Sequence, residues 1–263
     1  MMSVVYGPVS SWRLGASLGI DLISTPTKTC SFNCVYCQLG KTTQPLTERR
    51  EFVALSRVVS DLQYLDHLKA DYATFSGVGE PTLASNLGQA IDIVKPALGL
   101  PVAVLTNSSM ISREDVRAEL ARADVVVAKL DAPDQDMFLK VNRPFGRVRI
   151  EQILEGLKRF RRQYRGKLCL QMMFVEENKD SAAQMARLTS ELSPDEVHIN
   201  TPLRPCAVKP LPPEEIAAIR REFQGITGVV TVYEASQPRV KPKDLMETRR
   251  RRPAERQQKK GGE

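Results

Sequence analysis

The sequence predicts an α/β protein built on a parallel sheet, and three observations carry that expectation. Short apolar runs alternate with amphipathic helical stripes along most of the chain, the alternation that βαβ units produce. The run at residues 124–130 is almost wholly apolar, as befits a strand covered on both faces. The unusual polar and glycine-rich segments each follow an apolar run, where parallel α/β proteins gather their sites.

Taken in order, residues 18–24 form the first expected strand, and a cysteine-bearing loop follows it. Val58, Leu62, Leu65 and Leu68 then recur at helical spacing. Residues 72–76 are the second strand, ended by Gly77 and Gly79, and Leu87, Ile91 and Val94 mark the next helix. Residues 101–106 are the third strand, followed by a helix over 112–122 with Ser112 in the N-cap position. After the fourth strand, at 124–130, Ile150, Ile153, Leu154, Leu157 and Phe160 define a long amphipathic helix. Residues 168–175 are the fifth strand, Met185, Leu188 and Leu192 another helical stripe, and residues 196–201 the sixth strand. Pro213 opens a helix that turns Ile216, Ile219 and Phe223 inward, and the run at 229–233 closes the folded part. Right-handed crossovers between such strands give either a partial barrel or an open doubly wound sheet, and periodicity alone does not choose.

A chain of 263 residues with 42% hydrophobic content supports one sizeable core, expected here as a single domain over residues 1–237. The N-terminus lacks a basic segment followed by an apolar one, and no uncharged apolar run approaches the roughly 18 residues a membrane span needs. A cytoplasmic protein with no membrane partner is expected. The net charge of +7 is uneven: residues 239–263 hold 10 basic and 4 acidic side chains, leaving 28 against 27 in the body. The segment 238–263, with Arg249, Arg250, Arg251 and Arg252 among Gln, Pro and Gly, has few apolar side chains and is expected to be a disordered basic tail. It is read either as a solvated tail or as a contact to RNA or a partner protein. Five cysteines in a reducing compartment point to metal or redox chemistry rather than a disulfide framework.

Three of those cysteines, Cys30, Cys34 and Cys37, lie within eight residues. Three thiolates can hold three irons of a cubane and leave the fourth iron open to a substrate. A zinc site would need a fourth ligand, and Cys169, Cys206, His67 and His198 are all distant in sequence. Those two cysteines otherwise read as core residues and the two histidines as structural.

The spacing, with Tyr36 just before the last cysteine, resembles the radical SAM superfamily. Tyr6-Gly7-Pro8-Val9, the segment from Ser11 to Gly15, Ser17-Leu18-Gly19, Gln38-Leu39-Gly40, and residues 129–132 and 200–205 are similar to one branch of it. That branch comprises iron–sulfur oxidoreductases related to the tRNA wyosine-base (4-demethylwyosine) synthases. The resemblance spans roughly residues 6 to 235. It implies a partial (β/α)6 TIM-like barrel, a [4Fe-4S] cluster on Cys30, Cys34 and Cys37, and S-adenosylmethionine (SAM) on the open iron. It implies an enzyme that reductively cleaves SAM to a 5′-deoxyadenosyl radical and abstracts hydrogen from a small-molecule, nucleoside or tRNA substrate. A reductant protein such as flavodoxin or ferredoxin would supply the electron. The second cysteine set of the wyosine synthases has no counterpart in this chain. An activating enzyme that installs a radical on a partner protein and a non-enzymatic iron–sulfur carrier are the alternative readings.

The resemblance also assigns side chains. Tyr36 would flank the adenine of SAM. Gly77, Gly79 and Glu80 look like a variant of the family's Gly-Gly-Glu-Pro motif, with Val78 inserted, that contacts the SAM amino group. Asn107 and Ser109 end the third strand and suit the ribose hydroxyls and carboxylate of SAM, or a capped turn. Gln171, an amide within an apolar strand, needs a partner and by strand order faces SAM. Lys129 and Asp131 either pair with each other across the barrel mouth or bind ligand. With Asn200 and Arg204 after the sixth strand, they are the candidate catalytic, substrate-side residues. Residues 142–146 form an irregular loop that either clamps substrate or simply connects.

Overall fold

The computed structural model describes residues 3–65 and 69–253; His67, Leu68 and the residues after Pro253 lie outside it. The chain opens with an antiparallel hairpin, β1 (Val5–Ser11) and β2 (Gly15–Ile20). A small parallel pair follows, β3 (Thr29–Cys30) and β4 (Gln44–Pro45), and then α1 (Leu55–Leu62). The repeating part runs β5 (Tyr72–Phe75), α2 (Leu87–Leu98), β6 (Val102–Thr106), α3 (Glu114–Leu120), β7 (Val125–Lys129), α4 (Gln135–Val141) and α5 (Ile150–Gln163). It continues through β8 (Lys167–Met173), α6 (Ala182–Leu192), β9 (Glu196–Asn200), α7 (Pro213–Glu222) and β10 (Val229–Thr231), and ends in α8 (Leu245–Arg251).

The main sheet has eight strands in the order β1-β2-β5-β6-β7-β8-β9-β10, parallel throughout except for β1. It curls into the expected partial barrel. Alternation along each strand sorts the side chains. On β7, Val126 and Ala128 join the large core under the helices, while Val125 and Val127 face the barrel interior with Ala103, Cys169 and Leu14. Toward the strands' C-terminal ends that interior face turns polar, at Thr74, Lys129, Gln171 and Asn200. An apolar floor beneath a polar mouth follows from this sequence gradient.

Four local readings differ from the structure. The first strand ends at Ile20 rather than 24, because Asp21 Oδ1 accepts from the amides of Ile23 (3.1 Å) and Ser24 (2.9 Å) and turns the chain. Ser112 does not cap α3; Arg113 occupies the N-cap, and the Ser112 carbonyl accepts from Arg117 (2.6 Å). The hairpin partner β1 was not anticipated. Its turn reaches across the floor, where the Trp12 ring meets His198 edge-on with centroids 5.3 Å apart. Finally, α8 lies inside the segment expected to be a disordered tail, and Arg251 is 2% exposed. It packs on β1, with Gly7 N donating to Thr248 Oγ1 (3.1 Å) and Lys243 N to Gly7 O (2.7 Å).

Candidate active site

The cysteine loop is seated from two sides. On one side the glycine motif docks against β3: Thr29 N donates to Val78 O (3.1 Å) and Glu80 N to Thr29 O (3.3 Å). A Cβ on Gly79 would lie 1.7 Å from the Thr29 carbonyl oxygen, so only glycine allows this approach. On the other side residues 141–145 strap the loop. Val35 N donates to Val141 O, Asn33 N to Asn142 O, and Phe145 N to Ser31 O. The irregular loop at 142–146 therefore holds the cysteines in place. Phe32 meets Phe138 of α4 edge-on beneath it.

Two amides reach the thiols themselves. Asn107 Nδ2 donates to Cys30 Sγ (3.5 Å) and Ser31 Oγ (2.9 Å). Asn142 Nδ2 donates to Cys34 Sγ (3.6 Å), Tyr36 Oη (3.2 Å) and Asp131 Oδ2 (2.7 Å). Burial pushes the Cys30 thiol up to about 12, with Lys28 opposing, and raises Cys34, with Lys129 opposing. Left to themselves these thiols stay protonated; a cation must be added to draw them out as thiolates. Hydrogen-bond donors to sulfur and nearby lysines suit a donor set that would carry the negative charge of a thiolate-bound iron–sulfur cluster. The three residues fit such a group.

Several predicted contact residues are taken up by this scaffold. Glu80 is 2% exposed, and its two oxygens accept from Thr82, Thr106 Oγ1 (2.6 Å) and Asn107 N (2.6 Å). It fixes the turn that presents Asn107. Burial raises its pKa, against those donors. Ser109 Oγ bonds Ser31 Oγ (2.7 Å). Asp131, buried, accepts from the Tyr36 hydroxyl, from Asn142 and from Met173 N (2.8 Å), with Lys129 Nζ 3.7 Å away. Burial and the Asp131 charge hold the Tyr36 phenol well above its ordinary range, so it stays a donor.

The other predicted residues converge on the barrel interior. A cavity of about 300 Å³ is lined by Tyr36, Gly77, Lys129, Gln171, Asn200 and Arg204, and Cys37 opens onto it. Lys129 Nζ sits 4.2 Å from the Tyr36 ring centre, and Arg204 donates to Gln38 Oε1 (2.7 Å). Sequence reasoning missed Asn142 as a partner of the thiols, and Trp12, Arg13, Arg251 and Arg252 as cavity walls. It also missed Cys206, which packs beside Val35, Tyr36 and Val141, and whose thiol is raised by burial and by the nearby Cys37. Only contacts across the fold bring these to the site.

Residues 24–189 match the Radical SAM superfamily, a stretch that holds all three cysteines and, of the strands lining the cavity, β5 to β8. The chain belongs to the radical SAM superfamily. Its cofactors are a [4Fe-4S] cluster and S-adenosylmethionine. The chain is 40% identical over 222 residues to a UPF0026 protein of Synechocystis, covering 84% of this chain and 79% of the relative. It is 38% identical over 227 residues to a UPF0026 protein of Methanocaldococcus jannaschii, covering 84% and 70%. Among solved structures it is similar to TYW1 with a lysine–pyruvate adduct bound, with a TM-score of 0.61 at 17% identity over 79% of this chain and 72% of that one. This radical SAM protein shares the fold of that solved structure, and among its described residues no helix is long and apolar enough to cross a membrane.

Proposed function

We propose that Cys30, Cys34 and Cys37 hold the cluster and that the cavity beside them is the reaction chamber of a radical SAM enzyme. When bound, the cluster supplies one electron that breaks a C–S bond of SAM and yields a 5′-deoxyadenosyl radical able to abstract hydrogen from a substrate. The observation that carries this reading is that Cys37 and Tyr36 open onto the same cavity as Lys129, Gln171, Asn200 and Arg204.

The chain's own groups divide the work. Asn107 and Asn142 orient the thiols; Glu80 holds Asn107 through its backbone N–H, and Asp131 holds the Asn142 amide and the Tyr36 hydroxyl. Tyr36 and Gly77 line the cavity where the adenine and the amino-acid end of SAM would lie. Gln171, Asn200 and Arg204 offer donors to a substrate, and Lys129 a positive charge. A nucleoside, tRNA base or small molecule is the substrate class in view, a flavodoxin or ferredoxin the electron donor, and the cytoplasm the compartment.

Anaerobic reconstitution tests the reading. Full-length protein should take up about four irons and release 5′-deoxyadenosine when reduced with SAM. Well-loaded protein that yields no such product would sink it.

A further inference from the structure

Away from the cysteine loop, the floor of the barrel brings a thiol, an imidazole and a carboxylate together. Cys169 of β8 lies directly across from Glu196 of β9, and Gln171 across from His198. Residues two apart on a strand share a face, so Cys169, Glu196 and His198 project to the interior, while Leu170 and Val197 between them join the core under the helices. One oxygen is their meeting point. Glu196 Oε2 accepts from Cys169 Sγ (3.8 Å) and lies 3.1 Å from His198 Nε2. The sulfur, a ring nitrogen and a carboxylate oxygen all fall within 4.8 Å of one another.

Those separations match a coordination sphere. A tetrahedral zinc ion, with bonds of about 2.0–2.3 Å to oxygen, nitrogen and sulfur, holds its ligand atoms about 3.3–3.6 Å apart, and the observed 3.1 and 3.8 Å bracket that range. Hydrogen bonding alone leaves the group incomplete: His198 is 3% exposed, and its Nδ1 has no partner. Thiolate and imidazole ligands select zinc over magnesium or calcium, which prefer oxygen. The charges also balance. A thiolate and a carboxylate cancel the two charges of the ion, and Lys167 keeps the other carboxylate oxygen, Oε1 (2.5 Å).

We propose that Cys169, Glu196 and His198 bind one zinc ion at the floor of the barrel, with a water in the fourth position. Binding forms a zinc–sulfur bond and releases the thiol proton to solvent, and no electron moves. Cys169 is 1% exposed, so the Glu196 side chain, 30% exposed, is the member that reaches solvent. The ion ties β8 to β9 at the end of the strands opposite the cysteine loop. Met173, four residues further along β8, donates its N–H to Asp131 beside Tyr36 (2.8 Å), and four residues of strand rise about 13 Å. The site is therefore separate from the cluster, and the inference does not depend on radical chemistry.

Zinc sulfate is added to the iron-reconstituted full-length protein, whose cysteine triad is already filled, unbound metal is removed by desalting, and zinc and iron are measured. About one zinc per chain is expected, together with a saturable rise in melting temperature. Cys169→Ser and His198→Gln should each hold zinc at least about tenfold more weakly with iron content unchanged. A residue that only packs or hydrogen-bonds would, when replaced, lower the melting temperature yet leave the response to zinc as in the wild type. Wild-type protein that retains no zinc, or variants that retain as much as the wild type, overturns the proposal. So does zinc that is lost with Cys34→Ala and kept with Cys169→Ser, since the ion would then sit in the triad. Should His198→Gln fail to fold, Cys169→Ser, a one-atom change, carries the test. Release of 5′-deoxyadenosine, measured on the same wild-type preparation, separates failure of the radical reading from failure of the zinc site.

Discussion

At Gly79 one hydrogen in place of a methyl decides whether the cysteine loop can seat. A Cβ there would meet the Thr29 carbonyl at 1.7 Å, backbone against backbone, with no flexible side chain to yield. Gly79→Ala should therefore destabilise the fold by about 1–3 kcal/mol or more and reduce iron uptake, read by urea unfolding and iron analysis. Asn142 makes a different kind of contribution, because its amide serves Cys34, Tyr36 and Asp131 at once. Asn142→Leu should leave the three thiols able to assemble a cluster while lowering the rate of 5′-deoxyadenosine release by roughly 10–100-fold. Normal turnover in that variant would assign Asn142 to packing alone. Neither role is visible locally. The glycine pair and the triad can be read as motifs, whereas Asn142 sits 108 positions from Cys34 and meets it only through the strap of residues 141–145.

Strands were legible wherever both faces are covered. The runs that became β5 to β8 are largely apolar because helices cover one side and the barrel interior the other, and that demand is written locally. The hairpin strand β1 was not, since Gly7 and Pro8 break its apolar pattern and it lies at the edge of the sheet. The two-residue pair β3 and β4 is too short to carry periodicity. Within β8 and β9 the interior floor holds a charged group that periodicity could locate but not explain. Glu196 pairs with Lys167 and lies 3.1 Å from His198 Nε2. The hydrogen bond from His198, with Lys167 assisting, lowers its pKa from 4.5 to about 2. A carboxyl group depressed in the folded state stabilises the fold fully above the unfolded value. That contribution is lost as the pH falls toward the folded value. Between about pH 4.5 and 2 the metal-free protein should lose stability progressively, and Glu196→Gln should flatten that part of the profile. Melting curves collected across that range would test this, and an identical acid limb in the variant would count against it.

At the scale of the whole molecule, the last helix closes a chain of contacts that ends at the cluster loop. Arg251 is buried against Asp21, donates to Ser3 O (2.8 Å) and Ser24 Oγ (3.2 Å), and lies over the Tyr6 ring. Asp21 in turn accepts from Val78 N (3.3 Å), and the same glycine motif carries Glu80, which fixes Asn107 against Cys30. An arginine run reads in sequence as solvated charge. What makes Arg251 a core residue is a carboxylate 230 positions away, a pairing that no local pattern records. Removing the cation leaves Asp21 buried and uncompensated, and losing one partner of such a pair typically costs about 3–5 kcal/mol. Arg251→Gln should accordingly lower the melting temperature by on the order of 10 °C and weaken iron retention along with it. The double variant Asp21→Asn, Arg251→Gln should recover part of the stability, because the stranded charge is gone. Truncation after Gln237 should resemble the single Arg251 variant or exceed it, since it also removes the Thr248 contact to Gly7 and the Arg252 wall of the cavity. If the truncated chain instead melts and binds iron as the full chain does, the C-terminal helix is an appendage and the closure argued from Arg251 fails.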